Sequence, residues 1–237
     1  SQVCTLFILM PNVSVIIPTF NRAHLIEESV SSVLTQTLKP TEVIVVDDGS
    51  NDKTWDILKN LGFSLSGSQE NTLRYLYKEH GGVSSARNVG IELSSSEYVA
   101  LLDSDDQWKP TKLEAQLSSL ERENFSCRVS HTDEIWIRNG IRVNQHKKHS
   151  KAGGDLFEKC LKMCCISPSS ALIHRSVFDD LGSFDENLKA CEDYDFWLRY
   201  CAFEKTHFLN EPLTIKNGGH SDQLSQAYWG MDRFRIY

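Results

Sequence analysis

The sequence predicts an α/β fold in which a mostly parallel central sheet is flanked by helices. Three observations predict it. Short apolar runs at residues 13–18 (VSVIIP), 42–50 (EVIVVDDGS) and 98–102 (YVALL) stop abruptly at turn or acidic residues, as strands buried on both faces do. Stretches with apolar residues at helical spacing separate them, at the interval of βαβ units. No polar linker or internal repeat interrupts the pattern, so strands and helices alternate in one continuous unit.

Taken in order, residues 13–18 form the first strand, and Pro18 ends its ladder and opens the sheet edge. Residues 23–35 follow as a helix, with Leu25, Ile26, Val30, Val33 and Leu34 on one face. Residues 42–50 are a second strand ending in acids, and Ser50 or Asn51 caps the next helix. Residues 73–77 (LRYLY) are a third strand; a helix at 83–93 leads to a fourth at 98–102. The second half is less regular. A helix at 112–123 follows Pro110, strands of mixed polarity fill 128–143, and residues 146–154 form a loop. A helix at 155–163, a strand at 169–174 and an amphipathic helix at 192–203 complete the pattern. The reading is one domain over 10–237, starting at Met10, with residues 1–9 as a leader and a C-terminus that stops inside a helix. Its functional halves are about 13–106 and about 107–220.

Composition narrows the function. A net charge of −7 without a basic stripe argues against a nucleic-acid partner. The seven cysteines are odd in number and lack paired CxxC spacing, so they read as small buried hydrophobes in a reducing cytosol. No apolar run reaches the roughly 20 residues that cross a bilayer. The expected location is therefore cytoplasmic, with peripheral contact at the inner face of the membrane left open.

Ligands of such sheets bind beyond the carboxyl ends of the strands, where the chemistry-bearing residues of the first half fall. After the first strand, Phe20 is placed to stack on a base, with Thr19 and Asn21 as hydrogen-bonding partners; the alternative is a core Phe and a capping Asn. Asp47 and Asp48 end the second strand, where an acid accepts hydrogen bonds from ribose or base; the alternative is a turn capped by Asp48. The fourth strand runs into Asp103, Asp105 and Asp106. Three acids so close repel one another, and a divalent cation bound to phosphate is a natural means of offsetting that cost. Asp103 and Asp105, one residue apart, point to the same side of an extended segment and can meet one metal.

Gly81 and Gly82 permit close approach of backbone to a ligand at a helix start, and Arg87 either faces a phosphate or ties the Asp-rich loops in place. The segment is neither a P-loop nor a GxGxxG fingerprint. Glu192 and Asp193 open the last helix, either as complements to its dipole or as chemistry. His220 lies among turn residues as a solvated side chain or a metal ligand, and Trp108 and Trp197 are core residues or apolar faces for sugar rings.

In order and spacing, VSVIIPTFNR, VIVVDDGS, GGVSSARNVG, YVALLDSDDQWKP and CEDYDFWLR resemble the family 2 glycosyltransferases of GT-A fold, a Rossmann-like nucleotide-diphospho-sugar transferase fold. The resemblance covers roughly residues 13–203. It implies a nucleotide-diphospho-sugar donor with UDP as the default base, a Mg2+ or Mn2+ ion, and inversion at the anomeric carbon. It implies a glycan, glycolipid or protein hydroxyl as acceptor. By the same resemblance Pro18 to Asn21 line the base pocket, and Asp48, with Asp47 beside it, binds base or ribose. Arg87 and Asp103 belong to the donor site, Asp105 and Asp103 hold the metal, Asp193 is the general base and His220 lies near the metal or diphosphate. The other readings are a sugar-nucleotide nucleotidyltransferase, which ordinarily needs a triphosphate loop that PTFNRAH does not provide, and a non-catalytic nucleotide-sugar-binding protein.

Overall fold

All seven residues of β1 (Val13–Thr19) are buried, and their alternation sets the layers of the molecule. In the computed structural model, which describes residues 11–65, 72–144 and 149–219, Val13, Val15 and Ile17 face one helical layer while Ile16 faces the other. The first layer comprises α1 (Ile26–Leu34), α2 (Thr54–Asn60) and α4 (Lys112–Arg122). The second comprises α3 (Val83–Leu93), α5 (Phe157–Cys160), α6 (Ser176–Leu181) and α7 (Glu192–Cys201). Strands covered on both faces need apolar residues at successive positions, which is why β1 and β2 (Glu42–Asp47) read as continuous runs.

β2 and β5 (Tyr98–Leu101) flank β1 in parallel, and β4 (Leu73–Tyr77) then β3 (Ser64–Leu65) extend the parallel part outward from β2. Beyond β5 the pairing changes. β9 (Ala171–His174) is antiparallel to both β5 and β7 (Val129–Arg138), and β7 is hairpinned to β8 (Ile141–Val143). β10 (His207–Gly218) runs parallel to β7, and β6 (Gln107–Trp108) closes the edge antiparallel to β10. Among the described residues this makes one ten-stranded mixed sheet. No helix among them is long and apolar enough to cross a membrane.

Two local expectations are corrected. Pro18 does not stop the ladder: β1 continues to Thr19, with Pro18 in register with Val46. The carbonyl of Ile16 accepts from Leu102 N–H at 3.0 Å, so Pro18, two residues on, presents its missing donor to the same side, past the end of β5. Neither Ser50 nor Asn51 caps α2; the Asp52 carboxylate takes the Thr54 N–H at 3.0 Å. β10, a strand of 12 residues where no element is predicted from the sequence, carries Asn210–Glu211–Pro212 as a break in its strand pattern. In the structure that break is absorbed by register shifts on either side of Pro212.

α3 packs close against the sheet at Gly90, where an added Cβ would lie 2.4 Å from Ile16 Cγ2 and 3.3 Å from Val46 Cγ2. This contact holds the N-terminus of α3 at the carboxyl edge of β1 and β2. Gly90→Ala is expected to cost about 1–3 kcal/mol through overpacking, despite its better helix propensity. Urea unfolding checks this: the midpoint falls and the slope stays constant.

Candidate active site

Parallel registry brings the ends of β1, β2 and β5 to one edge, with Thr19 opposite Asp47 and Ile16 opposite Leu101. The three acids after β5 meet different fates there. Asp103 accepts from Arg87 Nη2 at 2.7 Å, and Lys216 Nζ lies 3.9 Å away. Asp106 is 1% exposed and accepts from Lys216 Nζ at 2.9 Å, the Ser169 hydroxyl at 2.6 Å and the Asn217 N–H at 3.0 Å. Asp105 is joined to the same strand through its backbone carbonyl, which accepts from Asn217 Nδ2 at 2.8 Å. Its carboxylate has no ion-pair partner within 4.0 Å among the described residues.

Burial alone would raise the Asp103 carboxyl, but the charges of Arg87 and Lys216 outweigh it and hold it below its usual range. Burial, reinforced by the charge of Asp103, pushes Asp105 up. Asp106 is pushed up to about 7, by burial first, with Lys216 opposing and the neighbouring acids adding. The repulsion that suggested a divalent cation is thus largely met by the protein's own Arg87 and Lys216. Asp105 remains as the acid open to a further cation. No group of three His, Cys, Asp or Glu side chains converges as a metal site among the described residues.

At the end of β2 the two acids also diverge. Asp47 is turned inward, accepting from Ser50 N–H at 2.8 Å and Tyr75 Oη at 2.8 Å, so it builds the turn. Asp48, 3% exposed, accepts from Lys78 Nζ at 2.7 Å and from the N–H groups of Gly81 and Gly82 at 2.9 and 2.8 Å. His80 Nδ1 lies 2.8 Å from Asp48 Oδ2, the oxygen that also accepts from Gly82. Asp48 therefore shapes residues 78–82, and Gly82 enters α3 at φ 93°, a conformation glycine reaches without strain. Phe20 is 40% exposed and stacks on His80, with ring centroids 4.4 Å apart. The pair forms an open wall past the carboxyl ends of β1 and β4. Thr19 is buried beneath it, and Asn21, at φ 52°, laces β1 to the loop after β2 by accepting from Asn51 N–H at 2.9 Å.

Arg87 is buried and faces no open space. Its Nη1 donates to Glu192 at 2.7 Å while Nη2 donates to Asp103, so the guanidinium joins the β5 loop to the start of α7. Asp193, the next residue, accepts from Tyr194 N–H at 2.7 Å and from the Cys164 thiol at 3.3 Å. Burial and the charge of Asp193 raise the Cys164 thiol well above its usual value, so it stays protonated and donates. Asp193 opens onto a cavity of about 200 Å³, whose lining includes Glu134, Trp136, Lys151, Cys164 and Lys216. Trp108 and Trp197, the sequence's candidates for sugar faces, are core residues at 3% and 0% exposure. His220 lies outside the described residues.

Sequence reasoning missed Lys216, His80 and Trp136. His80 carried a signal, since it directly precedes Gly81–Gly82. Lys216 carried one too, a lysine beside NGGH, but nothing local tied it to Asp106.

Residues 14–182 match the family described as Glycosyl transferase family 2. The chain is 42% identical over 227 residues to the putative teichuronic acid biosynthesis glycosyltransferase TuaG of Bacillus subtilis (strain 168), spanning 92% of this chain and 84% of that protein. It is 34% identical over 187 residues to the Escherichia coli UDP-Glc:alpha-D-GlcNAc-diphosphoundecaprenol beta-1,3-glucosyltransferase WfgD, spanning 78% of this chain and 68% of that one. The fold matches S. aureus TarS 1-349 in complex with UDP-GlcNAc at TM-score 0.76 and 24% identity, over 94% of this chain and 63% of that one. This chain thus spans under two thirds of the TarS fragment.

Lys216→Met leaves Asp106 and Asp103 short of a cation. The cost is expected to be about 2–3 kcal/mol, below the 3–5 of a fully buried pair because the Lys216 side chain keeps 29% exposure. Adding Asp106→Asn removes the stranded charge, and the double variant should recover most of the loss in urea unfolding.

Proposed function

We propose that this chain, which belongs to glycosyl transferase family 2, transfers a sugar from a UDP-sugar to an acceptor hydroxyl, with inversion, in the synthesis of a cell-envelope polysaccharide. Family membership supports the reaction class. The UDP donor draws on the names of WfgD and of the TarS complex, and the envelope role on those of WfgD and TuaG. A lipid-linked sugar, as printed in the name of WfgD, is one acceptor class. The observation that carries the reading is the Arg87 fork. It fixes the Asp-rich loop and the helix bearing Asp193 to each other, so one site has a donor end and an acceptor end.

In this reading the exposed Phe20–His80 wall takes the base, with Thr19 and Asn21 beside it, while Asp48 holds residues 78–82 in place beneath. Arg87 positions Asp103 rather than binding donor directly. Asp193 accepts the proton of the acceptor hydroxyl as that oxygen attacks the anomeric carbon from the face opposite the departing diphosphate. Cys164 and the start of α7 hold its carboxylate in place.

Mg2+ or Mn2+ fits the residues present. Asp105 offers hard oxygen donors that no described cation occupies, and such ions bind through one or two carboxylates together with substrate phosphates. Asp105, with Asp103 beside it, would hold the ion, which supplies charge neutralisation for the leaving diphosphate. About 13–106 then forms the donor half and about 107–220 the acceptor half of a single domain.

Two substitutions test the assignment. Asp193→Asn is expected to lower transfer by about 10²- to 10⁴-fold while calorimetry shows UDP binding retained; transfer at the wild-type rate would remove Asp193 as the base. Asp105→Ala should weaken Mn2+-dependent UDP binding by about tenfold or more, and an unchanged dissociation constant would reject its ligand role. A thermal-shift screen of UDP-glucose, UDP-GlcNAc and their GDP and dTDP counterparts, with and without Mn2+, ranks the donors.

A further inference from the structure

With Trp108 and Trp197 committed to the core, the cavity beside Asp193 takes its aromatic surface from another residue. Trp136, on β7, is partly exposed and lines that cavity of about 200 Å³. It also lines an adjoining cavity of about 340 Å³ that reaches Phe208 and Asn210, so the indole stands where the two spaces meet.

The indole is fixed before any ligand arrives. Its Nε1 donates to Glu134 Oε2 at 2.8 Å, and Glu134 in turn accepts from the Ser167 hydroxyl and pairs with Lys151 at 3.3 Å. Burial opposes the charge of Glu134, but Lys151 and Lys216 outweigh it and keep the carboxylate ionised. His149 packs against the indole with ring centroids 5.4 Å apart. A flat apolar face, anchored at its edge and bordered by fixed carboxylate and ammonium groups, matches the two kinds of surface on a pyranose. The sugar's C–H face covers the ring and its hydroxyls meet the charged border. A lipid tail would offer that polar border no hydrogen bond in exchange for the water it displaces.

The geometry points to Trp136 as the platform for the acceptor, a pyranose that stacks on the indole and presents its reacting hydroxyl to Asp193. The inference rests on the reading of Asp193 as the base end of a glycosyl-transfer site, and it adds the residue that recognises the acceptor's sugar ring. Pre-organisation by Glu134 means that little side-chain freedom is lost on binding.

The test uses the full chain with Trp136→Ala and Trp136→Phe. Saturation-transfer NMR reads binding of methyl glycosides of glucose, galactose and N-acetylglucosamine in the presence of UDP and Mn2+. The wild type should saturate at least one glycoside. Trp136→Ala should weaken that binding, and raise the KM for the same glycoside in transfer, by about tenfold or more, with the donor KM unchanged. Trp136→Phe should restore most of the loss, which a folding defect would not allow. Equal glycoside binding in Trp136→Ala, a matching loss of donor affinity, or no glycoside binding by the wild type would each overturn the proposal. Asp193→Asn separates the two readings. If it transfers at full rate while Trp136→Ala loses glycoside binding, the base assignment fails and the acceptor platform stands.

Discussion

The buried guanidinium of Arg87 is the interaction on which the rest of the site depends. A charge so enclosed is costly unless it is matched, and here each terminal nitrogen meets a carboxylate at 2.7 Å, Asp103 on one side and Glu192 on the other. Burial alone would lower its pKa, and the two carboxylates reverse that, so the cation persists. Only arginine suits the position. A lysine would bring one ammonium centre to two acids that lie on different elements, whereas the planar fork reaches both and also lies over the Phe184 ring at 5.2 Å. Because the two acids are 89 residues apart (192 minus 103), the fork is a long-range tie between halves of the chain. It makes the separation of the Asp-rich loop from Asp193 a fixed property of the fold.

Lys216 performs the complementary task from the other side. It reaches Asp106 at 2.9 Å from the end of β10, while Asn217 holds the backbone of Asp105, so the loop is clamped from below and behind. The two cations neutralise two of the three acids and leave Asp105 as the group with electrostatic capacity to spare. That division balances Asp103 and Asp106 with the protein's own charges and leaves Asp105 outside both ion pairs.

Much of this was legible in the sequence where the signal is local. The runs of β1, β2, β4 and β5 and the bounds of α3 follow from period and burial, and the acids at strand ends follow from parallel topology. What stayed hidden is non-local. Nothing in the neighbourhood of Lys216 shows that it will lie against Asp106, 110 positions earlier (216 minus 106). The role of Arg87 was legible only as alternatives, and the turn-building offered for Asp48 falls to Asp47 instead; packing decides both, and both side chains turn inward to build the site. Trp136 was invisible for another reason. It sits among strands of mixed polarity, and only the pairing of β7 with β10 and the Glu134 contact reveal that its ring borders a cavity.

The cysteines occupy two kinds of environment. Cys160, Cys165, Cys191 and Cys201 are buried, consistent with service as small apolar side chains. Cys164 differs because its sulfur lies 3.3 Å from Asp193 and borders the cavity. A hydroxyl there would compete more strongly for the carboxylate, and an apolar side chain would leave that oxygen without this donor. A thiol is the intermediate choice. It is a weak donor, kept protonated by burial and by the very charge it faces, and its sulfur lies as close to the Ile166 carbonyl, at 3.3 Å, as to Asp193. The arrangement also makes the site dependent on a reduced sulfur. Oxidation to a sulfinic acid would replace a donor with an acid group facing the Asp193 carboxylate, turning an attraction into a repulsion.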